Sequence, residues 1–157
     1  MSEDEVVYHS NVCFKSSIRR VLTEIAEDFQ KENKLTALHL FRLRCMCGAT
    51  FDRALELYES KKVTEFKVEL TQHTIKNRTA CCFYEVKGQS SEVYTIFPNL
   101  NFCSCLSFEN QVLKEHSTFT CKHILAVWLA SLTQTNLNYQ TIQESKFCEV
   151  LLGRVLY

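Results

Sequence analysis

NFCSCLSFENQVLKEHSTFTCKHILAVWLA, residues 101–130, contains two close pairs of metal-binding side chains. Cys103 and Cys105 flank a serine, and Cys121 and His123 flank a lysine. NFC, at the start, reads as a short extended segment. Leu125, Trp128, Leu129 and Leu132, at the end, recur at helical spacing and mark a helix that starts near Cys121. A Cys-x-Cys leaving a strand can turn both sulfurs toward one ion. A Cys-x-His at a helix start can bring a second pair to it, because the backbone there is leaving its extended form. Three thiolates and one imidazole make the closed four-ligand set of structural zinc, with Zn–S ~2.3 Å and Zn–N ~2.0–2.1 Å. Thiolates also favour zinc over harder cations. The fifteen residues between Cys105 and Cys121 leave room for a brief helical turn, with Phe108, Val112 and Leu113 as its apolar side.

Each alternative has a physical basis. A single Cys-x-Cys is ordinarily a pair of buried, inert cysteines. Two pairs framed by strand and helix patterns point instead to a metal. His116 is an alternative to His123, but it lies in a polar loop without a paired cysteine, and surface exposure is expected. Cys45-Met46-Cys47 repeats the spacing at the end of an apolar helical pattern, where burial is expected. Cys81 and Cys82 lie in a strand and point to opposite faces, so one ion does not take both. His9, His39 and His73 have no ligand partner at useful spacing, and Cys13 and Cys148 read as helix-face residues. Lys122 has two readings: an ammonium offsetting a negatively charged thiolate site, or a solvated lysine in the first helical turn.

Working outward, Val93–Phe97, a segment with Cys82, Tyr84 and Val86, and one with Phe66, Val68 and Leu70 alternate apolar and polar residues as half-buried strands do. Turns fall near Lys76–Arg78, at Gly88–Ser91 and at Pro98–Asn99, which gives an antiparallel meander of three or four strands. Before Lys62 the period is helical. Ile18, Val21, Leu22, Ile25 and Phe29 share one face of a helix from Ser16 to Gln30. A second helix covers Leu35–Met46, with Leu35, Leu38, Phe41 and the 45–46 pair inward and Gly48 as its stop. A short third helix turns Phe51, Ala54, Leu55 and Tyr58 inward. A last helix is expected over Tyr139–Leu152. The expected class is α+β: N-terminal helices, then a small antiparallel sheet and a helix-containing zinc module. The division falls into a helical region, 1–61, and a second region, 62–157, without a flexible linker.

Composition narrows the function. Three glycines and one proline argue against long disordered linkers. There are 18 basic and 18 acidic residues, a formal net charge of zero, whereas chains that live on phosphate contacts are usually basic. No phosphate-binding glycine loop occurs. The acidic start MSEDEVVYHS does not read as a secretory signal, and no apolar run approaches the ~18 residues of a membrane span. Nine cysteines in such a chain fit a reducing compartment, and their odd count argues against a complete disulfide framework.

The order Cys-x-Cys, variable gap, Cys-x-His, here CSC at 103–105 and CKH at 121–123, resembles the SWIM-type zinc finger, as does Ala126 three residues after His123. CSCLSF, VLKEHSTFTCKHILAVWLA and the helical CGATFDRALELYESKKVT look like the small SWIM-domain subunits of Shu complexes. The resemblance covers about residues 35–133, is strongest at 101–130, and does not extend to the first 30 residues. Leu106 stands where that family often has proline after the second cysteine; the ligands are unaffected. The resemblance implies Zn²⁺ held by Cys103, Cys105, Cys121 and His123. It also implies a non-enzymatic, nuclear role in homologous recombination. The chain would pair with a RecA-like recombinase paralogue, assist recombinase filaments, and meet single-stranded DNA through that complex, with no membrane involved. A generic SWIM-type nucleic-acid-binding or adaptor module is the alternative. A thiol oxidoreductase using Cys103 and Cys105 is disfavoured, because redox pairs are more often Cys-x-x-Cys.

Overall fold

The computed structural model describes residues 16–69, 82–88, 90–98 and 100–155. His9, Cys13, Leu70, His73, the Lys76–Arg78 turn, Cys81 and Asn99 lie outside them.

Helix α1, Ser16–Glu32, buries Ile18, Leu22, Ile25 and Ala26, the face its periodicity indicates. It ends at Asn33, whose φ of 50° is left-handed and whose N–H bonds the Phe29 carbonyl at 2.7 Å. Asparagine tolerates that conformation better than most residues. Helix α2, Ala37–Cys47, starts at a reciprocal cap: the Thr36 hydroxyl accepts from the His39 N–H, and His39 Nδ1 accepts from the Thr36 N–H, both at 3.3 Å. The His39 ring is buried, with Nε2 3.4 Å from Asp28.

That entry point fixes a different inward face from the one expected. His39 and Leu43 are buried, whereas Leu38 and Phe41 are 63% and 64% exposed, and Cys45 is exposed as well. Apolar residues nearly encircle this helix, so spacing alone permits two stripes, and the cap and α1 select one. Gly48 joins α2 to helix α3, Ala49–Glu59, at φ 53° and ψ −138°, a conformation that essentially requires glycine. Phe51, Ala54 and Leu57 face inward from α3.

Strands β1, Val63–Glu69, β2, Cys82–Lys87, and β3, Val93–Ile96, form the expected antiparallel meander. The sheet has a fourth strand, β4, Leu137–Gln143, which lies parallel to β1 and gives the order β3-β2-β1-β4. The sheet is therefore mixed, and the expected helix from Tyr139 begins only at Glu144, as α5, Glu144–Val155. Asn138 accounts for part of this. Its Nδ2 donates to the Lys61 and Val63 carbonyls at 2.9 and 3.1 Å, tying the start of β4 to that of β1.

Helix α4, Lys122–Thr133, is buried at every position from His123 to Leu132. A helix apolar all round belongs inside a core. It contacts α1 and α3 as well as strands β1, β2 and β3. One apolar cluster joins Ile18, Leu43 and Phe51 to Val63, Ile96 and Trp128, residues from both sides of position 61. The α+β class stands, built around the helix that the metal-ligand motif leads into.

Candidate metal centre

The segment 101–121 leaves β3 and returns to the start of α4. Its two ends are tied by Asn101, whose Nδ2 donates to the Phe119 carbonyl at 3.0 Å and whose Oδ1 accepts from Thr120 Oγ1 at 3.1 Å. Asn101 lies two residues before Cys103 and Thr120 one before Cys121, so this clamp aligns the two ligand pairs. Between them, Phe108–Lys114 forms a π-helical turn rather than an ordinary helical one, closed by the Glu115 N–H on the Asn110 carbonyl at 2.8 Å. Phe108 and Val112 anchor it in the core, while Leu113 is 52% exposed, contrary to expectation.

Cys103, Cys105, Cys121 and His123 come together, all buried, with their ligand atoms within 4.8 Å of one another. Cys103 Sγ lies 3.6 Å from His123 Nδ1. Tetrahedral coordination with Zn–S ~2.3 Å and Zn–N ~2.0–2.1 Å requires a ligand–ligand edge of roughly 3.6 Å. The donor set therefore fits a metal of zinc's size, with Nδ1 as the facing nitrogen. Nε2 of the same ring is buried and has no hydrogen-bond partner among the described residues. Tyr94 stacks on the imidazole, with centroids 4.0 Å apart and planes 20° from parallel. Gly88 lets the ring sit there, since a Cβ at that position would lie 3.3 Å from the Tyr94 ring edge.

The electrostatics suit a cation. The Cys103 thiol hydrogen-bonds to Cys105, which holds Cys105 well below the usual thiol range and raises Cys103. The Phe108 N–H also points at Cys105 Sγ, at 3.4 Å. Burial pushes Cys121 up to about 12. One thiolate is thus favoured, and loss of the remaining protons is opposed unless a positive ion arrives. The Tyr94 phenol, hydrogen-bonded to Glu92 and partly desolvated, is pushed up to about 12 and stays neutral beside the site.

The other candidates sit elsewhere. His116 is exposed at φ 54°, with Nδ1 3.0 Å from the Val112 carbonyl. Cys45 and Cys148 are exposed and Cys47 and Cys82 are half-buried, all outside the cluster. Lys122 is half-buried and lines a cleft with Cys105 and His123. Asn101, Thr120, Tyr94 and Gly88 are the supporting residues that spacing did not reveal. The one sequence signal was a polar Thr120 directly before a ligand, and it is 2% exposed.

Relatives match most of the chain. Zinc finger SWIM domain-containing protein 7 of Homo sapiens is 26% identical over 141 residues, 90% of this chain and 94% of the relative. The Mus musculus protein of that name is 24% identical over 141 residues, covering 90% and 86%. The Danio rerio protein is 27% identical over 119 residues, covering 73% and 79%. No family profile matches the chain, and no solved structure does.

Proposed function

On the premise that this chain is a SWIM-type zinc-finger protein, as these relatives support, we propose that it is a non-enzymatic, zinc-binding subunit of a Shu-like complex. In this reading it pairs with a RecA-like recombinase paralogue in the nucleus. The pair promotes assembly or stability of recombinase filaments in homologous recombination and DNA repair, and single-stranded DNA is met through the complex.

The observation that carries the reading is the buried three-cysteine, one-histidine cluster at the entry to the central helix. Bound zinc would supply a fixed tetrahedral cross-link between the 101–105 segment and α4. Cys103 and Cys105 hold one side of that link and Cys121 and His123 the other. Four protein donors leave no position open for a substrate or an activated water, which favours a structural role over catalysis. Tyr94 covers the imidazole, and Asn101 and Thr120 hold the two ligand segments in register.

The test is affinity purification of the intact chain from its own cells, with metal content measured on the same material. About one zinc per chain and a co-purifying RecA-like protein are expected. Zinc without such a partner would favour the generic adaptor. Folded protein purified without metal would overturn the zinc reading.

A further inference from the structure

A cleft of about 560 Å³ lies beside the metal centre, between α3, the turn that leads into β1, Gly88 and the first residue of α4. Its charged lining is Arg53, Lys62 and Lys122 against one carboxylate, Glu56. None of these four takes part in any ion pair among the described residues. Most other cationic groups on the described surface of the helices, such as Arg20, Arg42, Arg44 and Lys114, are neutralised by a carboxylate. In a chain of zero formal net charge, three unpaired cations around one cavity are a local excess.

The cations come from α3, from the turn that leads into β1 and from α4, so the cleft exists only in the folded chain. No aromatic side chain lines it, which leaves no platform for stacking a base or a nucleoside ring. Its chemistry suits phosphate oxygens. Lys122 also lines a second cleft of about 640 Å³, where it faces the Glu92 carboxylate beside Tyr94, His123 and Ser104.

From this we infer that the Arg53–Lys62–Lys122 cleft is a phosphodiester-binding site that takes the backbone of a single-stranded nucleic acid without reading its bases. This deepens the proposed function and relies on it only for the choice of a nucleic acid as ligand. The metal centre has an indirect part: it fixes the start of α4 and so sets Lys122 against Arg53 of α3 and Lys62 of the turn before β1.

The experiment titrates the full zinc-loaded chain into a fluorescent oligothymidylate at low salt, then repeats the titration across a salt series. Binding at the weak end of the non-specific range, ~10⁻⁴–10⁻⁵ M, is expected, weakening as salt rises. The double variant Arg53→Glu/Lys62→Glu, which leaves the metal ligands untouched, should bind at least about tenfold more weakly. Its log K against log salt should be flatter by roughly 1.4, about 0.7 for each lost phosphate contact. Lys31→Glu/Lys146→Glu, the same charge change outside the cleft, should alter affinity less than about twofold by the diffuse field alone. An equal loss in both double variants, or no wild-type binding at ~10⁻⁴ M protein, would overturn the site. Displacement of the oligonucleotide by inorganic phosphate at low millimolar concentration, with ionic strength held constant, would overturn the nucleic-acid assignment. Zinc content and capture of the recombinase paralogue should be unchanged in Arg53→Glu/Lys62→Glu, so failure here is distinguishable from failure of the proposed function.

Discussion

Cys45-Met46-Cys47 and Cys103-Ser104-Cys105 have the same spacing and opposite fates. The first triplet closes α2, where residues two apart do not face each other. Its sulfurs diverge, Cys45 into solvent and Cys47 half-buried. The second triplet lies in irregular backbone before a π-helical turn, and both its sulfurs reach one buried cluster with Cys121 and His123. A ligand spacing carries information only once the backbone beneath it is known, and only when a second pair is held opposite.

The comparison breaks first at the ligands. Structural zinc in small fingers contributes apparent binding energies of ~10–16 kcal/mol, much of it felt as folding energy, against a net domain stability of ~5–15 kcal/mol. Cys105→Ala or His123→Ala is therefore expected to release zinc, loosen residues 101–135 and weaken partner capture. Trp128, the single tryptophan and fully buried in α4, should report the change by fluorescence. His116→Ala and Cys45→Ala/Cys47→Ala should keep their zinc. Zinc loss from His116→Ala with retention by His123→Ala would replace the ligand set. Full partner capture by zinc-free Cys105→Ala would separate the metal from the interface.

A smaller effect should come from the clamp that the first triplet lacks. Asn101→Ala removes two hydrogen bonds, each worth ~0.5–1.5 kcal/mol net. It should lower stability by about 1–3 kcal/mol and make zinc easier to strip with a chelator. Asn101→Asp keeps the acceptor for Thr120 and loses the donor to Phe119, so it should fall between. A chelation rate unchanged in Asn101→Ala would show that the ligand pairs align without the clamp.

The same contrast explains what could be read in advance. The four clustered side chains and the faces of α1 and α4 were legible because each rests on local period or spacing. Strand β4 was not. LNYQTIQ is exposed or half-buried along its whole length, so it carries no strand-like burial pattern. It becomes a strand through pairing with β1, more than sixty residues earlier, and through Asn138 bonding that strand's carbonyls. The inward stripe of α2 failed for a related reason: apolar residues nearly all round left the choice to the His39 cap and to α1. Asn101 bonding Phe119 and Thr120, and Tyr94 stacking on His123, join residues far apart in sequence, which periodicity does not register.

Within the first triplet, the half-buried member should show itself at high pH. Burial pushes Cys47 from 9.0 up to about 11. A thiol raised on folding favours its neutral form, so its contribution to stability is complete below pH 9 and is lost as pH climbs toward about 11. Denaturant midpoints should fall across that window in the native chain, and Cys47→Ala should flatten the fall. If the variant retains the same alkaline decline, the thiol is not its source.

Cys45 should give the smallest energetic effect and the sharpest chemical one. It is exposed at the end of α2 and belongs to no cluster among the described residues. Surface substitutions away from packed features usually shift stability by less than about 0.5 kcal/mol, and Cys45→Ser is expected within that range. The thiol itself is open to solvent, whereas those of Cys103, Cys105 and Cys121 are buried. A brief pulse of a thiol reagent on native, zinc-loaded protein, followed by peptide mapping, should modify Cys45 and spare those three. Chelating zinc first should bring 103, 105 and 121 into the reactive set and leave Cys45 unchanged. Modification of Cys105 as fast as Cys45 before chelation would mean that the second triplet is as open as the first, and the difference between them would reduce to backbone shape.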